Sequence, residues 1–193
     1  MHTAIDTLMK EHRVIEQVMT SLEGYARAAR NGGSADRSTV HKYAEFFQNF
    51  ADRCHHGKEE DRLFKTMGAY GFPADQGPVA VMLADHEYGR ERVRALARIG
   101  SGSGPLTADE RAALHENATE FISMLRAHIM KEDNILYPMA LRAIPPAEMD
   151  ALGKSFDAFE REVMGAGEHE RFHRLADELC ASSGPKTTCC HHG

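Results

Sequence analysis

Four histidines, His12, His55, His86 and His128, fall in the middle of long stretches with helical apolar periodicity, each on or beside the face that would be buried. Two are followed one turn later by a glutamate: His55 by Glu59 in CHHGKEED, and His128 by Glu132 in AHIMKEDN. Residues i and i+4 share one side of a helix, so each pair can aim an imidazole and a carboxylate at one point. Burying several imidazoles and two carboxylates together is costly unless a cation compensates them. Four helices that each offer a ligand to a common interior can hold a pair of metal ions. Imidazole and carboxylate donors without thiolate suit iron or manganese.

The elements that must position these groups are helices, for no segment alternates with period two and β-branched residues are scattered. A first helix is expected over about residues 3–30, ending at Asn31-Gly32-Gly33-Ser34. Asp36 or Ser38 can cap a second, running to about Met67. The third spans about 77–99 and ends in a Gly/Ser linker. Thr107 and Glu110 form a capping box that opens a fourth, which reaches about Pro138. A fifth runs over about 146–180, interrupted near Gly165-Ala166-Gly167.

The apolar stripe tests whether the histidines point inward. Ile5, Leu8, Met9, Ile15 and Met19 share the side of His12; Val79, Met82, Leu83 and Val93 that of His86; Leu114, Phe121, Met124, Leu125, Ile135 and Leu136 that of His128. At about 100° per residue these lie within roughly 80° of their histidine. The second helix is less tidy. Phe47, Ala51 and Leu63 flank His55, but Phe46, Phe50 and Phe64 spread the apolar surface around it, so His55/Glu59 and His56/Glu60 both remain open as its inward pair. A single core histidine is ordinarily a hydrogen-bonded packing residue, and a single exposed His-Glu pair is ordinarily solvated. Their joint occurrence on four helices is what points to a metal.

These motifs give the chain a resemblance to the hemerythrin-like, HHE cation-binding family. It is carried by Glu11-His12, by His55-His56-Gly57-Lys58-Glu59-Glu60 with Leu63-Phe64, by Asp85-His86-Glu87, and by His128-Ile129-Met130-Lys131-Glu132 with Leu136-Tyr137-Pro138, over residues 1–143. The resemblance implies an all-α, up-down-up-down four-helix bundle over 1–143. A C-terminal helical extension over 144–182 would pack on it; the stretch 183–193, at the chain end, reads from its own sequence as a disordered tail. It also implies a non-heme di-iron centre, carboxylate- or oxo-bridged, with manganese or zinc as substitutes. The implied ligands are His12, His55, Glu59, His86, His128 and Glu132, the two glutamates bridging. His56 is the seventh, at the place where iron-sensing relatives use a second ligand.

One departure stands out. Oxygen-carrying members place a second histidine one turn after the third-helix histidine, where this chain has Arg90, and an aspartate in the fourth helix, where it offers Glu132 and Asp133. A site poorer in histidine and richer in carboxylate argues against simple oxygen carriage. Arg90 either donates hydrogen bonds to a ligated carboxylate or covers core with its stem. His169 and His173 form either a second metal site or a polar helix face. Cys54 is a redox-sensitive thiol or a packed core residue, and Cys189-Cys190-His191-His192 is a metal-binding type of sequence in a tail without a Cys-x-x-Cys frame.

The net charge of −6 with well-mixed signs and no basic block argues against a nucleic-acid surface, and no apolar run approaches a membrane span. Four cysteines without disulfide spacing and an amino terminus without a signal layout lead to the expectation of a cytoplasmic protein, monomer or homodimer. Two functions share the ligands. One is a binding or sensing protein for oxygen, nitric oxide or iron. The other is a di-iron enzyme that decomposes peroxide or nitric oxide, or an iron-cluster repair factor.

Overall fold

The computed structural model describes residues 4–165 and 167–182. Six helices account for the fold: α1 (Ala4–Arg30), α2 (37–69), α3 (Gly77–Gly100), α4 (108–143), α5 (146–164) and α6 (Glu168–Ser182). Asp36 caps α2 by accepting from the Thr39 amide at 2.9 Å, and Thr107 and Glu110 make the reciprocal capping box of α4. Both satisfy amides that a helix start leaves orphaned. The expected fifth helix is two, because Gly165 takes φ +97°, which a continuing helix cannot.

Helices α1 to α4 form the up-down-up-down bundle, with α1 against α4, α4 against α3 and α3 against α2. Short connectors between long helices force this antiparallel order. Helices α5 and α6 lie against α1 and α2. Gly57 lets α5 approach closely, since a Cβ there would stand 2.7 Å from Phe159 Cζ. No helix among the described residues is long and apolar enough to cross a membrane. The tail motif Cys189-Cys190-His191-His192 lies outside the described residues.

The core is divided. One apolar cluster includes Ile15, Cys54, Val93, Leu125 and Ile129; the other includes Leu8, Leu63, Met82 and Leu136. Between them on every bundle helix lies a polar layer: His12 on α1, His55, His56 and Glu59 on α2, His86 on α3, His128 and Glu132 on α4, all buried.

Two stretches of α2 (Phe47–His56 and Glu59–Leu63) and one of α4 (Glu132–Leu136) are π-helical. A π turn takes one extra residue, so the inward stripe slips downstream. This corrects one expectation on α4. Ile135 is 52% exposed, while Leu136 and Tyr137 are buried. On α2 the wider turns, with α5 and α6 covering a further side, explain why Phe46, Phe47, Phe50, Phe64 and both histidines are all buried. Met9 on α1 is also more exposed than its stripe position suggests, at 37%; it stands at the end of the helix face where Arg13 reaches back to its carbonyl.

Candidate metal centre

Two groups of donor atoms converge in the polar layer. One is formed by His56, Glu59, His86 and His128, the other by His12, His55, Glu59 and Glu132, with the atoms of each within 4.8 Å of one another. Glu59 belongs to both; its Oε2 lies 3.7 Å from His55 Nε2 and 3.5 Å from His86 Nε2. Glu132 also faces both ways, with Oε2 3.2 Å from His12 Nε2 and Oε1 3.2 Å from His128 Nε2. All seven residues singled out from the sequence thus meet at one place. Glu60 does not join them. Its carboxylate sits outside the layer, and α2 contributes both histidines but a single glutamate.

The outer sides of the histidines follow a rule. Glu11 of α1 accepts from His55 Nδ1 of α2 at 2.8 Å. Glu60 of α2 accepts from His86 Nδ1 of α3 at 2.6 Å. Asp85 of α3 accepts from His128 Nδ1 of α4 at 3.2 Å, and Asp133 of α4 accepts from His12 Nδ1 of α1 at 2.8 Å. Each carboxylate is the sequence neighbour of an inward residue and holds the histidine of the next helix, closing a ring. Each also meets one cation: Lys58, Arg90, Lys131 and Arg13 respectively. His56 has a longer contact, 3.4 Å to Asp52 on its own helix.

Because Nδ1 of each histidine is committed outward, the tautomer leaves Nε2 to carry a lone pair toward the centre. His86 Nε2 and His128 Nε2 face each other at 3.2 Å. His55 Nε2, Glu59 Oε2 and both Glu132 oxygens are buried without a hydrogen-bond partner among the described residues. Such atoms cost free energy in a protein interior. Five imidazole nitrogens and two carboxylates aimed at one another therefore fit a pair of divalent cations. With His56 inward the site is not poorer in histidine, as the Arg90 departure had suggested, and among the described residues no lysine or arginine pairs with Glu59 or Glu132. Tyr137, quoted in the fourth-helix motif but given no role there, donates to Glu59 Oε1 at 2.7 Å and stacks on His12. Burial and the neighbouring glutamates push its hydroxyl well above its ordinary range, so it keeps its proton.

Protons stand in for metal in the electrostatics. Burial and the adjacent Glu132 push the Glu59 carboxyl well above its usual range. Burial drives His55 and His86 well below theirs. Burial opposes protonation of His128 too, but Glu132 and Asp85 outweigh it and lift its pKa to about 9. A folded pKa raised in this way stabilises the metal-free protein below the ordinary imidazole value, and that contribution is lost as pH rises through about 9. Metal competes for the same lone pair, so its affinity should rise with pH over this window and loading near neutral pH should release protons. Calorimetric titrations in two buffers of different ionisation enthalpy measure the release; equal heats would contradict it.

Arg90 does not reach the centre. It donates to Asp52 at 2.9 Å and to Glu60 at 2.7 Å, the carboxylates behind His56 and His86. Arg90→Met should therefore weaken metal binding about 10- to 100-fold, the usual cost of losing an outer partner, with two ions still bound at saturation. Competition against a chelator measures this, and unchanged affinity would reduce Arg90 to a rim residue.

Lys58 is buried and pairs with Glu11 and, at 2.6 Å, with Glu160 of α5. Glu11, Cys54, Glu160 and His169 gather around it, and the ammonium already supplies their cation. Burial pushes the Cys54 thiol up to about 12, which makes it a packed core thiol rather than a reactive one. His169 and His173 meet each other at 3.0 Å on α6.

On one side the centre is open. A cleft of about 220 Å³ has His56, His86 and His128 at its floor, whereas His12 and His55 do not line it.

Comparison with known proteins agrees with this geometry. The family model described as the hemerythrin HHE cation binding domain matches residues 3–140. Two proteins from Mycobacterium tuberculosis strains and one from Mycobacterium bovis, each named as uncharacterized, are 20% identical over 176 residues, covering 91% of this chain and 68% of theirs. No solved structure matches the chain.

Proposed function

Because the chain belongs to the hemerythrin HHE cation-binding family, we propose that it is a cytoplasmic protein holding two iron ions for binding or sensing oxygen or nitric oxide. The observation that carries this reading is the set of buried, unpartnered donor atoms where the two ligand groups meet. His12 and His55 would hold one ion, His56, His86 and His128 the other, and Glu59 and Glu132 would be shared. The donor set, nitrogen and carboxylate without thiolate, favours iron, with manganese or zinc as substitutes. Iron there would supply a redox-active Lewis acid to a small ligand.

The chain's own residues do the rest. The ring of carboxylates fixes each imidazole's tautomer and orientation, so that no donor must reorganise on binding. The two apolar clusters above and below the layer shield the centre from water on those two sides. The cleft admits a ligand at the His56/His86/His128 pole.

A second reading, peroxide decomposition, is favoured by Tyr137, whose hydroxyl proton lies in the centre, 2.7 Å from Glu59. One experiment separates the two. The iron-loaded, reduced protein is exposed to oxygen and then to nitrogen, and separately to excess peroxide. Near-ultraviolet absorption that appears and disappears reversibly is the expected result; many turnovers of peroxide would instead establish the enzyme. No response to either would overturn both.

A further inference from the structure

The cleft above the His56/His86/His128 pole is larger than a diatomic gas requires. A cavity of about 150 Å³ suffices for benzene, so about 220 Å³ accommodates roughly nine heavy atoms by the same scale. Its walls are Phe47, Val93, Phe121, Met124 and Leu125, a surface suited to an apolar body. Gly89 helps form the space, for a Cβ there would lie 3.0 Å from Met124 Cε and 3.5 Å from Phe121.

The charges lining the cleft are not equivalent. Asp52 is paired with Arg90 and Asp85 with Lys131. Arg94 lines the cleft and is exposed, and it has no ion pair among the described residues. An uncompensated guanidinium lining an apolar cleft is complementary to a carboxylate, which it can engage through two parallel hydrogen bonds.

We propose that this cleft binds a small monocarboxylic acid, its carboxylate on Arg94 and its apolar body directed toward His56, His86 and His128. The proposal rests on the metal-centre reading only for what faces the inner end of the ligand.

The test titrates the full chain, iron-loaded and separately stripped by chelation, with phenylacetate and with uncharged 2-phenylethanol, by calorimetry. Phenylacetate should bind both forms, and the alcohol should bind about tenfold more weakly, about 1.4 kcal/mol. Arg94→Glu should cost phenylacetate about tenfold, or about 1.4 kcal/mol, and leave the alcohol unchanged. Gly89→Leu should abolish binding of both, with Met124→Trp filling the cleft from the opposite wall if the first variant does not fold. Equal affinity for acid and alcohol, or indifference to Arg94→Glu, overturns the proposal. So does binding that survives the filled cleft, or that vanishes with the metal, which would put the carboxylate on the ions. Failure to bind phenylacetate by a chain carrying two irons overturns the ligand class alone. Binding by a chain that takes up no iron upholds the cleft and overturns the metal-centre reading.

Discussion

Glu59→Ala should lower the metal content from two ions per chain to one or none. Glu59 is the one residue common to both donor groups, with a carboxylate oxygen within 3.7 Å of His55 Nε2 and 3.5 Å of His86 Nε2. Its loss leaves His12 and His55 at one pole and His56, His86 and His128 at the other, with Glu132 as the one carboxylate left to be shared, and removes one of the two negative charges that would lie between the cations. The expected loss of affinity exceeds about 100-fold, beyond the range for an outer partner. The metal-free variant should nevertheless fold, because burial and the adjacent Glu132 keep the Glu59 carboxyl protonated in the absence of a cation, so its removal leaves no counter-charge unpaired. What should vanish is the rise in thermal stability on adding metal, which follows from binding to the native state alone. Retention of both ions would remove Glu59 from the ligand set.

Lys58→Met should be among the most destabilising single changes in the chain. The ammonium is fully buried and bound to Glu11 and Glu160. Removing it leaves the Glu11 side chain almost inaccessible to water, with His55 as its remaining partner among the described residues. Breaking a buried pair from one side costs about 3–5 kcal/mol. The double variant Lys58→Met/Glu11→Gln, which removes both charges, should recover a large part of that loss. Urea melts of the metal-free proteins, arranged as a double-mutant cycle, measure the coupling. Additive losses would show that Lys58 acts through packing on Phe156, 5.9 Å from its Nζ, and not through its charge.

The parts of the centre that could be read from the sequence are those on regular α-helix. His12 and His86 lie on unbroken α1 and α3, and His128 precedes the π turn of α4, so a fixed rotation per residue located all three. The rule failed where the rotation changes. On α2 the π segments bring adjacent His55 and His56 to the same interior, and on α4 one turns Ile135 out and Tyr137 in. The carboxylate ring was hidden for another reason. Glu11, Glu60, Asp85 and Asp133 stand beside inward residues in the sequence, yet each serves a histidine on a different helix. Spacing within one helix cannot reveal a partner on another; only Asp52, four residues before His56, had a signal of that kind. An acidic neighbour recurring beside the inward residue of all four helices was the available clue.

On the reading proposed above, His12, His55, His56, Glu59, His86, His128 and Glu132 hold a pair of metal ions. Anomalous diffraction from crystals of the iron-loaded protein tests it most directly. Two peaks per chain are expected, one among His56, His86 and His128 and one between His12 and His55, with the Glu59 and Glu132 carboxylates between them. Iron-loaded crystals with no peak in the polar layer, or with a single peak outside it, would contradict it.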